Sequence, residues 1–274
     1  MLLHTFSHIP GIGYATERML WDKGVTTWNQ LQQRPEIVPR VSNGEILKYL
    51  ARSQKFLGHD PHFFINLLKR ADTWRLFPHF RASTAYLDIE TTGLGGGAEI
   101  TTISLYDGSE VRTYISGRNL ENFLDDVMEF KVLVTYNGIS FDIPFIERFF
   151  KTKLNHAHID LRHVLARLGC KGGLKGCEKQ MGINRGTLDG IDGAFAVLLW
   201  REYERYDNEL ALETLLAYNI EDTVNLERLL VEAYNRNVAN TPFAETLYIP
   251  FPDSPQLIFQ PDTTIVSLIK QHYY

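Results

Sequence analysis

Ala85-Tyr86-Leu87-Asp88-Ile89-Glu90-Thr91-Thr92-Gly93-Leu94 reads as a buried strand that breaks at a glycine turn. Residues two apart on a strand share a face, so Asp88 and Glu90 project together. Like charges that close resist desolvation unless something neutralises them. Hard carboxylate oxygens favour Mg²⁺ or Mn²⁺ for that task. A solvated acidic edge strand is the alternative, and the apolar frame of Ala85, Leu87 and Ile89 argues against it.

The chain has 274 residues, room for one large domain with an appendage or for two domains. It lacks an apolar run of about 18 residues, so no membrane partner is expected. The N-terminus shows no positive segment followed by a long apolar one, and no secretory signal is expected. Two cysteines, Cys170 and Cys177, are too few for a disulfide framework. Free thiols in a cytoplasmic protein are the simpler reading.

Net charge is −5, but the charges are segregated. Residues 1–83 hold eleven Lys/Arg against six Asp/Glu, and residues 148–186 hold nine against two. Residues 84–147 and 187–232 each hold three basic against eleven acidic residues. An acidic centre with basic flanks suits a metal-dependent enzyme acting on a polyanion, with nucleic acid as its partner.

Outward from the acidic strand, Ile100–Tyr106, a turn at Asp107-Gly108 and Val111–Ile115 predict a three-stranded meander. A helix is expected over 120–129 and a strand over 132–135. Asn137 follows at the strand end, and Asp142 opens a helix bearing Phe145, Ile146 and Phe149. Asp142 alone reads equally as a helix N-terminal acid, and Asn137 either bonds a substrate or shapes the turn. A fifth strand covers 157–159, with Asp160 as a helix cap and His156 and His158 as packing residues. Lys171–Gly176 is expected to be a flexible basic loop, either suited to phosphates or simply a solvated connection. Gly193–Tyr206 and Leu210–Tyr234 are helices, and Tyr218 and Asp222, four apart, share a face of the second.

Upstream, Pro10-Gly11-Ile12-Gly13 predicts a tight turn before a helix that Gly24 ends, with Thr26 or Thr27 capping the next. This element resembles a helix-hairpin-helix, whose turn offers N–H groups to a phosphate; a helical hairpin that merely packs on the main domain is the alternative. Two more helices are expected over 42–72, then a linker over 70–81. The expected division is a helical region over 1–82, the main domain over 83–234 and an extension over 235–274.

Asp88-x-Glu90, Asn137-x4-Asp142 and Tyr218-x3-Asp222 resemble the three motifs of the DEDD exonuclease superfamily, Tyr subclass. Residues 173–183 and 215–222 are similar to its YprB-type branch. The resemblance implies an α/β, RNase H-like mixed five-stranded sheet flanked by helices. It further implies two-metal, 3′–5′ hydrolysis of single-stranded DNA or RNA from its 3′ end. Asp88, Glu90, Asp142 and Asp222 would hold the two Mg²⁺ or Mn²⁺ ions, and Tyr218 would orient the attacking water. Thr91, Gly93 and Leu94 would seat the terminal nucleotide, with Asn137 also placed at the substrate. The alternatives are an inactive nucleic-acid-binding module and an RNase H-type endonuclease.

Overall fold

The expected strand is β1 (Thr84–Thr91), and four others join it: β2 (Ile100–Tyr106), β3 (Val111–Ile115), β4 (Val132–Thr135) and β5 (Ala157–Asp160). This computed structural model describes every residue except 186, 187, 189, 190, 254, 256 and 274. The sheet order is β3-β2-β1-β4-β5, so β1 is central. The β1–β2 and β2–β3 pairs are antiparallel, and β1–β4 and β4–β5 are parallel. This is the mixed five-stranded α/β sheet that the sequence leads one to expect. The β1–β2 register shifts between Glu90 and Thr91. Such irregularities re-aim side chains at a strand end.

The two faces of β1 enter different cores. Ala85, Leu87 and Ile89 pack with Phe123, Phe145 and Ile146, while Tyr86 packs with Ile220 and Val224. The period of two therefore sends Asp88 and Glu90 to the same side as Tyr86.

Five α-helical segments precede β1: α1 (Tyr14–Asp22), α2 (Trp28–Gln33), α3 (Asn43–Phe56), α4 (His62–Ile65) and α5 (Phe77–Phe80). Thr27 caps α2, with Gln30 completing a capping box. Gly11, at φ 89°, makes the turn before α1, and an added Cβ would lie 2.8 Å from Val41 Cγ2. What precedes that turn is only a 3-10 turn over Leu2–His4.

Residues 70–81 correct the linker expectation. They form a 3-10 helix over Arg70–Leu76 followed by α5, and Trp74, Leu76, Phe77 and Phe80 are all buried. Their aromatic content supplies core, and the Trp74 ring meets Tyr234 edge-on at 5.4 Å between centroids. The apolar core thus runs across residue 82, from Phe6 and Trp28 to Tyr234. Beneath α1, the buried Glu17 carboxylate accepts from the N–H groups of Phe6 (2.7 Å) and Ser7 (3.0 Å). It also pairs with the buried Arg75 guanidinium at 3.0 Å.

Beyond β3 the helices are α6 (Phe123–Val127), α7 (Asp142–Phe150), α8 (Leu161–Arg167), α9 (Gly173–Gln180), α10 (Gly193–Tyr206), α11 (Glu209–Val238) and α12 (Thr263–Tyr273). Helix α9 corrects the flexible basic loop expected over 171–176. Gly176 is there for contact: a Cβ would lie 2.4 Å from Lys171 O. Helix α11 is buried along most of its 30 residues, as a helix apolar on most sides must be. From the 235–274 stretch, Ile265 and Ile269 pack against α10 and α11 residues. Among the described residues no helix is long and apolar enough to cross a membrane.

Candidate active site

Asp88 and Glu90 leave β1 toward α11, which presents Tyr218 and Asp222 one turn apart. One ligand oxygen each from Asp88, Glu90 and Asp222 lie within 4.8 Å of one another. Glu90 is 9% and Asp222 6% exposed. Asp142 opens α7 against β1, where its carboxylate accepts from Ile89 N–H at 3.3 Å. Four of the expected acids thus gather around the end of β1. A cluster of buried, oxygen-only donors fits a hard divalent cation.

Asn219 organises the cluster, and its role was not visible in the sequence. Its amide donates to Asp88 Oδ2 at 2.7 Å. Its oxygen accepts from Thr102 (3.1 Å) and Ser104 (2.9 Å), the β2 residues opposite Glu90 and Asp88. An ionised Asp88 carboxylate can only accept, which orients the amide so that its oxygen faces the two hydroxyls.

Two cations were also missed as site residues. Arg185 contacts Asp222 and makes two bonds to the buried Glu178, at 2.6 and 3.1 Å. Lys175 on α9 places its ammonium 4.6 Å from the Tyr218 ring centre, a favourable cation–π arrangement. That ammonium has no hydrogen-bond partner among the described residues. Burial, then the Arg185 charge, lowers its pKa to about 8.

The acids are strained electrostatically. Burial raises Asp88 to about 7, with the Asn219 bond opposing. Burial, then the charges of Asp88 and Asp142, hold Glu90 well above the usual carboxylate range. Asp142 is raised by burial and by Asp88. Burial and the charges of Glu90 and Asp88 raise the Tyr218 phenol, so it keeps its proton at neutral pH.

These shifts have a consequence for stability. A carboxyl whose folded pKa is raised favours the folded state below its unfolded value and loses that advantage as pH rises through the folded one. For Asp88 this window runs from its ordinary value of 3.8 to about 7. Metal-free protein is therefore expected to lose stability across it, and a bound divalent cation to restore it. At a concentration about 100 times Kd the gain is ~2.7 kcal/mol, or roughly 5–10 °C in Tm for a chain of this size. Thermal melts at pH 5.5 and pH 8, with and without Mg²⁺, check this: the Mg²⁺ increment should be larger at pH 8.

Beside the acids lies a cleft of about 730 Å³ bordered by Glu90, Thr91, Gly93, Leu94, Phe141 and the α10 residue Val197. Thr91, Gly93 and Leu94 are thus placed together next to Glu90. Thr91 Oγ1 donates to Gly93 O at 2.8 Å, which shapes the turn, and Leu94 is 88% exposed. Asn137 lies elsewhere. Its backbone adopts φ 67°, its N–H donates to Asp160 at 2.8 Å and its side-chain oxygen accepts from Arg162 at 2.5 Å. The structure shows it shaping the turn that delivers Asp142. Asp160 caps α8, as expected.

Residues 85–234 match the family model of the RNase_H superfamily. Among solved structures, the family B DNA polymerase from the hyperthermophilic archaeon Pyrobaculum calidifontis overlaps with a TM-score of 0.43 and 17% identity. That overlap takes in 57% of this chain and 24% of the polymerase chain. No curated protein matches the sequence.

Proposed function

For a chain that belongs to the RNase H superfamily and gathers these acids at the end of its central strand, we propose metal-dependent 3′–5′ exonuclease activity. The substrate is the 3′ end of single-stranded DNA or RNA. The observation that supports this best is the convergence of Asp88, Glu90 and Asp222 oxygens within 4.8 Å. In this reading Asp88, Glu90 and Asp222 would hold one Mg²⁺ or Mn²⁺ ion, and Asp88 and Asp142 would help to hold a second. When bound, the ions lower the pKa of the attacking water and neutralise charge on the phosphate.

The chain's own groups do the remaining work. A water oxygen bonds to phosphorus, the phosphorus–O3′ bond breaks, and the products are a nucleoside 5′-monophosphate and a strand shorter by one nucleotide. Tyr218, held as a neutral phenol, orients the water rather than deprotonating it. Lys175, whose ammonium lies over the Tyr218 ring without a hydrogen-bond partner among the described residues, is the group to meet the phosphate. Thr91, Gly93 and Leu94 seat the terminal nucleotide in the neighbouring cleft, and Asn137 acts on substrate only through the Asp142 turn. The helical region 1–82, with its hairpin-like turn, lends further contacts to nucleic acid. The free thiols Cys170 and Cys177 suit the cytoplasm.

Tyr218→Phe is expected to lower the single-turnover rate about 10–100-fold, the worth of one hydrogen bond to a charged reacting group. The pH profile should keep its shape, because no titrating base is removed. A profile that loses a limb in this variant would make Tyr218 the base.

Linear and circular single strands test the activity as a whole. The expected result is stepwise 3′ shortening of 5′-labelled linear DNA or RNA with no cutting of the circle. Internal fragments from the circle would assign an RNase H-type endonuclease. Tight binding without cleavage of either would leave an inactive nucleic-acid-binding module.

A further inference from the structure

Arg185 is bound on two sides by buried carboxylates. Its Nε and Nη2 hold Glu178 at 2.6 and 3.1 Å, and Nη2 also reaches Asp222 Oδ1. Glu178 is 1%, Arg185 8% and Asp222 6% exposed, so all three charges lie out of water. Glu178 has a further anchor, the Asn225 amide at 2.9 Å. The hold on Glu178 is therefore a two-point fork with a neighbour's support, whereas the hold on Asp222 is a single contact.

Asp222 is at the same time one of the three acids whose oxygens converge. One guanidinium and one divalent cation thus have claims on the same carboxylate. The cation carries twice the charge and draws on Asp88 and Glu90 as well. Arg185 keeps its fork on Glu178 when it yields, so yielding does not strand it. Its third nitrogen, Nη1, has no partner among the described residues. The residue borders a cleft of about 530 Å³ that Lys175 and Lys179 also line, which gives the released edge a place to turn.

We propose that Arg185 is a resident counter-ion of the metal site: it holds Asp222 while the site is metal-free, and a divalent cation must displace it from that carboxylate. Arg185 is accordingly a positioning residue that sets the cation affinity of the site. The inference rests on the metal-site reading above. It also gives Asp222 a cationic contact before a cation arrives, although Arg185 shares its charge with Glu178.

The test is calorimetric titration of Mn²⁺ into the full chain, wild type against Arg185→Met, without substrate. Arg112→Met, which breaks an ion pair with Glu129 on a partly exposed surface, serves as control. Removing one positive charge at contact range should tighten Mn²⁺ binding about tenfold or more, and Arg112→Met should leave it unchanged. Equal or weaker binding in Arg185→Met would overturn the proposal and make Arg185 a support that shapes Asp222 for the ion. Arg185→Met leaves Glu178 without its partner and can unfold when metal-free. Circular dichroism then reads the same comparison: refolding as Mn²⁺ is added supports displacement, and a chain still unfolded at millimolar Mn²⁺ contradicts it. A wild type that binds no Mn²⁺ would instead sink the metal-site reading itself.

Discussion

Asp88→Asn is expected to lower phosphodiester hydrolysis about 10³-fold, or ~4 kcal/mol of barrier, while making the metal-free protein more stable. The two effects have one cause. Asp88 is the acid shared by every part of the site. Its oxygen converges with those of Glu90 and Asp222, it takes the Asn219 amide, and its charge raises both Glu90 and Asp142. Asparagine keeps the shape and can accept the Asn219 bond through its own oxygen. It removes the negative charge on which ion binding depends, and it puts donors where Glu90 and Asp222 have only acceptors. Single-turnover rates and metal-free melts at pH 8 are the readouts. A slower variant that is also less stable would mean that Asp88 supports the fold and not the chemistry.

Glu17→Gln is expected to cost about 3–5 kcal/mol of stability, the range for breaking one side of a buried ion pair. Glu17 is 1% and Arg75 4% exposed. The carboxylate pairs with Arg75 and accepts from Phe6 and Ser7 N–H. Glutamine supplies one acceptor oxygen for these donors and leaves the guanidinium only the more distant Asp72 carboxylate, 3.8 Å from its Nε. Because the core passes through residues 74–80 to Tyr234, the loss should appear in the unfolding of the whole chain. Urea denaturation should show one transition at a lower midpoint. An early, separate transition with the main midpoint unchanged would show that the helical region unfolds by itself.

Asp88 and Glu90 were legible as a pair because their spacing is structural, whereas Asp142 and Asp222 were singled out by the resemblance of their motifs to a family. A separation of two on a strand and four on a helix each fixes a shared face, and both faces turned out to meet. The groups that act between elements were not legible. Asn219 gains its meaning only from Thr102 and Ser104 across the sheet. Arg185 gains its meaning from Glu178 and Asp222, which lie on α9 and α11. Local cues also misled. The glycines of 171–176 suggest mobility, yet Gly176 permits close packing against Lys171 O. Residues 70–81 lack a helix or strand period because a 3-10 turn shows neither, and it is the fold that buries Trp74, Phe77 and Phe80 as core.

The most direct measurement is the binding of Mn²⁺ at pH 8 to wild type and to Asp88→Asn, followed by calorimetry and by the loss of the free-ion paramagnetic signal. Wild type is expected to take up the ion with release of protons, and Asp88→Asn to lose most of that affinity while remaining folded. Wild type and variant leaving the Mn²⁺ signal equally untouched would show that Asp88, Glu90 and Asp222 meet without forming a metal centre.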